Sequence, residues 1–71
     1  MTREELDAAL LAAHAAGDRA ALIELYRQAS ETADTDQARA FYLTHAYVFA
    51  LEAGAPEADA LRDGLRALKA I

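Results

Sequence analysis

The sequence predicts an all-α fold: four helices arranged as two antiparallel helical hairpins in one domain, 1–71. Three observations carry this. Apolar residues recur three and four apart in four separate stretches, the spacing of one helix face. Helix stop and start signals fall between those stretches at Gly17-Asp18, at Glu31–Thr35 and at Gly54-Ala55-Pro56. The composition is dominated by Ala, Leu, Glu and Arg, all strong helix formers. The first hairpin is expected over about 2–32 and the second over about 35–70.

In the first stretch Leu6, Ala9, Leu10 and Ala13 make one face. Thr2 and Glu5 have the spacing of a capping box, in which a hydroxyl and a carboxylate satisfy each other's backbone N–H. The helix is expected from Arg3 to Ala16, ended by Gly17, which takes a left-handed conformation at little cost. Asp18 follows as the next N-cap. Leu22, Leu25, Tyr26 and Ala29 then form the inward stripe of a second helix. Gly17-Asp18 leaves almost no loop, so helices one and two must fold back on each other.

Residues 31–35 are polar and lack an apolar anchor. Asp34 or Thr35 is the expected cap of the third helix, with Asp34 and Gln37 as a second capping-box pair. That helix, Ala38 to Ala53, holds both Phe, two of the three Tyr and the only Val. It is apolar almost all round, as a helix with several neighbours is. On a helical wheel Tyr42, Leu43, Ala46, Tyr47, Phe49, Ala50, Leu51 and Ala53 fill a broad inward arc. Phe41, Thr44, His45, Val48 and Glu52 fill the outer wedge. Gly54 ends the helix, and Pro56 suits the first position of a fourth, where its missing N–H costs nothing. Ala58, Leu61, Leu65 and Leu68 make that helix's seam. Gly64 within it points to a close approach by another helix, or to an exposed face that tolerates it.

Over half of the chain is apolar, but alanine supplies about half of that share. So few large side chains in 71 residues make a small core, and pairing with another chain is the expected remedy. The net charge is −5 with no basic patch, which argues against nucleic acid. There is no Cys, hence no disulfide frame and no thiolate metal site. No apolar run has signal-peptide or membrane-spanning length, so the expectation is a cytoplasmic protein with no membrane contact. Six of the seven basic residues are Arg, a bias that fits a GC-rich bacterial genome.

A weak internal repeat of about 34 to 39 residues relates the hairpins. Leu22, Tyr26 and Ala29 match Leu61, Leu65 and Leu68, with the same 4, 3 spacing. Gly17-Asp18 at the turn, Leu6, Ala9 and Leu10 early in the first copy, and Ala46-Tyr47 in the second carry a resemblance to the tetratricopeptide repeat. The likeness covers most of the chain. It lacks the Trp, the Leu-Gly pair and the closing Pro, and the third helix is too long. The resemblance implies a right-handed stacked pair of hairpins whose first helices line a groove. Carried over residue by residue, that lining is Asp7, Leu11 and His14 from the first copy, and Phe41, His45 and Val48 from the second. Two repeats are fewer than a free-standing solenoid needs, so a partner is implied.

The outer wedge independently draws attention to Phe41 and Val48, an apolar pair flanked by polar residues, as contact patches are. The expected function is a non-catalytic protein–protein interaction module. It binds a peptide or protein of unknown identity through the face of helices one and three. An alternative is a structural homo-oligomer, a dimer that buries Phe41 and Val48 and has no separate ligand. A third is a small-molecule or metal binder using His14 and His45. No His-x3-His pair or HExxH motif accompanies those histidines, so neither a metal nor a cofactor is expected. The single Ser, Ser30, has no neighbouring His, and there is no Gly-rich phosphate loop, so an enzyme is not expected.

Overall fold

A computed structural model describes residues 2–71. It has four helices: α1 (Arg3–Ala16), α2 (Arg19–Thr32), α3 (Asp36–Ala53) and α4 (Glu57–Ala67). They run up-down-up-down as two antiparallel hairpins, and no strand occurs among the described residues.

Local chemistry sets most of the boundaries. Thr2 Oγ1 accepts from the Glu5 N–H at 3.1 Å, and Glu5 Oε1 accepts from the Thr2 N–H at 3.4 Å, closing the capping box. Gly17 and Gly54 end α1 and α3 in the left-handed region, at φ 66° and 63°. The Asp18 carboxylate accepts from the Ala21 N–H at 3.1 Å and opens α2. The third boundary differs from the Asp34–Gln37 pairing. Thr35 is the N-cap, its hydroxyl accepting from the Ala38 N–H at 3.1 Å, and α3 starts at Asp36, two residues before Ala38.

Helix backbones come close only between neighbours in sequence: α1 to α2, α2 to α3, α3 to α4. The α2–α3 interface is the most extensive, so the two hairpins are joined through their inner helices. The outcome is a slab with extents of 30 × 29 × 13 Å. Its core gathers Ile23, Ala46, Ala50 and Leu61, with Tyr26, Leu43, Tyr47 and Phe49 packed around them. The alanines matter here. Ala46 and Ala50 are wholly buried, and their small size lets the neighbouring helices approach α3 closely. Leu65, 1 % exposed, is the largest fully buried side chain.

Three residues depart from their expected faces. Leu51 and Ala53, expected inside, are exposed, Leu51 at 55 %. Ile23, outside the predicted stripe of α2, is buried, because α2 lies between α1 and α3 and has two inward faces.

The α2–α3 turn is held by a side chain from beyond it. Arg39 donates from Nε to the Ser30 carbonyl and from Nη2 to the Ala33 carbonyl, both at 3.3 Å. Its Nη1 meets Asp36 Oδ1 at 3.0 Å. A cation is thereby placed at the negative end of α2, where carbonyls lack helical partners.

Candidate functional site

Because the α1 backbone comes close to α2 and not to α3, a gap opens between the backbones of α1 and α3 above α2. The gap is a depression of about 760 Å³. Arg3, Leu6, Asp7 and Leu10 of α1 form one wall, and Ala38 and Tyr42 of α3 the other. Its floor is the C-terminal half of α2, including Ala29 and Thr32. A smaller depression of about 400 Å³ lies beside it, lined by Thr35, Gln37, Ala38, Phe41 and Tyr42. Ala38 and Tyr42 are common to both and separate them.

Towards the C-terminal end of α1, aromatic side chains bridge the gap, with Tyr26 at their centre. Its hydroxyl shares a hydrogen bond of 2.9 Å with His14 Nε2. Its ring stacks on His45 at 5.1 Å and on Phe49 at 5.9 Å, and Tyr42 lies at 6.4 Å. His14 meets Phe49 edge-on at 6.0 Å, which ties α1 to α3 through side chains alone. His45 Nδ1–H donates to the Phe41 carbonyl at 2.9 Å, and the two rings lie 4.5 Å apart. That bond fixes the proton on Nδ1 of neutral His45. Burial, and secondarily the neighbouring Tyr42, raise the Tyr26 hydroxyl above its ordinary pKa, so Tyr26 stays a neutral donor or acceptor.

On the floor side Arg27 forms ion pairs with Glu24 and Glu31. Hydrogen bonds from Arg27 and then Gln28 hold the Glu24 carboxyl down at about 2. The same pairing raises the Arg27 guanidinium further above its ordinary value. Asp7, Glu31 and Asp34 leave the cleft edge with more carboxylates than the two cations Arg3 and Arg27.

The six residues singled out by sequence are dispersed. Asp7 lines the main cleft and Phe41 the smaller one. His14 and His45 both reach Tyr26. Leu11, 72 % exposed, and Val48, 45 % exposed, line neither depression. The floor residues of α2 and the walls Leu10, Ala38 and Tyr42 escaped sequence reasoning, which assigned the lining only to the first helix of each hairpin. A usable signal was Tyr26, a hydroxyl-bearing ring within an otherwise aliphatic stripe, since a buried Tyr hydroxyl seeks a partner.

Among the described residues no three His, Asp or Glu side chains converge as a metal site would require. No helix among them is long and apolar enough to cross a membrane. Comparison with protein-family models, curated proteins and solved structures gave no match.

Proposed function

We propose that this chain is a non-catalytic, tetratricopeptide-like interaction module that works in the cytoplasm. It binds a peptide segment of another protein in the groove between α1 and α3. The observation that carries the reading is the cleft of about 760 Å³, walled by α1 and α3 and floored by α2. Its volume lies within the range of small-ligand and peptide pockets. Leu10 and Tyr42 supply apolar surface to such a segment, and Asp7, Glu31 and Asp34 select for basic residues beside its apolar anchors. The bridge of His14, Tyr26, His45 and Phe49 limits how far along α1 the segment extends.

The test is selection from a random peptide library, followed by calorimetric titration of the enriched peptides. Ala38→Arg places a long cation in the cleft and is expected to weaken binding at least about tenfold, equivalent to ~1.4 kcal/mol. Ala12→Arg, on the exposed back of α1, is expected to leave binding unchanged. No enrichment, or equal binding by both variants, would reject the groove.

A further inference from the structure

The lip of the cleft is the turn between α2 and α3. Ala33, Asp34 and Thr35 make up that turn, and all three line the cleft. Its backbone is thinly tied. Ala33 and Asp34 make one backbone hydrogen bond between them, from the Ala33 N–H to the Ser30 carbonyl, and at 3.4 Å it is long. Asp34 and Thr35 are exposed, so burial does not hold them either.

Arg39 supplies the missing ties from one turn inside α3. Its Nε donates to the Ser30 carbonyl on α2 and its Nη2 to the Ala33 carbonyl in the lip. Its Nη1 meets Asp36 at the start of α3. One planar guanidinium thus joins the floor, the lip and the far wall of the cleft, yet Arg39 lines neither depression. A fork of rigid N–H donors suits three acceptors placed around it. Its charge is taken up by Asp36, while Asp34 is in no ion pair among the described residues. The lip therefore carries a carboxylate that a basic ligand can use.

We propose that Arg39 is a positioning residue of the cleft, holding the Ala33–Thr35 lip, and with it Asp34, ready for a basic segment. The inference rests on the cleft being the binding site. A lip that is already ordered loses less freedom when the ligand arrives, so affinity depends on Arg39 without contact between them.

Arg39→Lys tests this, because it keeps the charge but offers one compact ammonium in place of the fork. In the free protein, backbone order parameters at Ala33, Asp34 and Thr35 are expected to fall from about 0.85 to below about 0.6, with α4 unchanged. Peptides selected on the wild-type cleft are expected to bind about tenfold more weakly. The salt dependence of their binding should stay the same, since no charge is lost. Adding Gly64→Ala, a stabilising change on α4 far along the chain from the lip, should recover melting temperature without recovering affinity.

A lip that stays rigid in Arg39→Lys overturns the proposal. So does a loosened lip with unchanged affinity, an altered salt dependence, or an affinity restored by Gly64→Ala, which would make Arg39 a contributor to stability alone. A library that enriches no peptide rejects the cleft as the binding site, and the positioning role with it, whatever the lip does. A rigid lip alongside normal peptide binding rejects the role of Arg39 and leaves the cleft standing.

Discussion

The two outer helices, α1 and α4, are held by different means. α4 inserts Leu61 and Leu65 into the core, and both are almost completely buried. α1 buries only Leu6 and Ala13, and its backbone comes close to α2 alone. Its remaining hold on α3 is the aromatic bridge through His14. One outer helix completes the core; the other stands off from it and leaves a cleft. An edge with little buried apolar surface opens at lower free energy than the rest, which would suit a wall of the proposed binding cleft.

The largest effect that tests this contrast is truncation on each side. Leu65→Ala empties the tightest site and is expected to cost about 3–5 kcal/mol and unfold the domain as a whole. Leu6→Ala is expected to cost less, about 2 kcal/mol, with lost amide protection concentrated in α1. Chemical denaturation with hydrogen exchange checks both; equal, global losses would erase the distinction between the helices.

Next in size is the bridge. Tyr26→Phe retains the stacking and removes the hydrogen bond to His14, at an expected cost of about 1 kcal/mol. Faster exchange is expected in the C-terminal half of α1, with α4 unaffected.

On the α4 side, Gly64→Ala is expected to stabilise by about 0.5–1 kcal/mol. Gly64 has helical backbone, and a Cβ there would meet Leu43 Cδ1 at 3.5 Å, ordinary van der Waals contact. A lowered melting temperature would show α3 and α4 to be packed more tightly than this geometry implies.

The smallest expected effect is electrostatic. Glu24 titrates at about 2 rather than its ordinary 4.5. A depressed carboxyl contributes stability above the unfolded value, and that contribution is lost as pH falls from about 4.5 through 2. The Arg27–Glu24 pair is about half exposed, so a few tenths of a kcal/mol is expected. The melting-temperature gap between wild type and Glu24→Gln should close near the bottom of that range.

Helix ends were legible where the signal lies within a few residues. Thr2 with Glu5, Gly17, Asp18 and Gly54 act as their chemistry implies. Asp34 and Thr35 offered rival caps, and only backbone geometry decides which oxygen reaches the Ala38 N–H. Leu51 was misplaced because residue type cannot separate inside from outside on a helix that is apolar all round. Ile23 was missed because its face of α2 becomes inward only when α3 packs there. Arg39, which reaches back nine residues to Ser30, belongs to the same class of tertiary consequence. The cleft was half legible. Its α1 wall includes Asp7, but its floor comes from α2, and its existence depends on α1 stopping short of α3.

The most direct test of that cleft as the binding site is amide hydrogen exchange with and without a selected peptide. Binding is expected to slow exchange in α1 and the first two turns of α3, with α4 unchanged. Protection that leaves α1 unaffected and falls on α4, or on the Val48–Leu51 face of α3, would contradict the account.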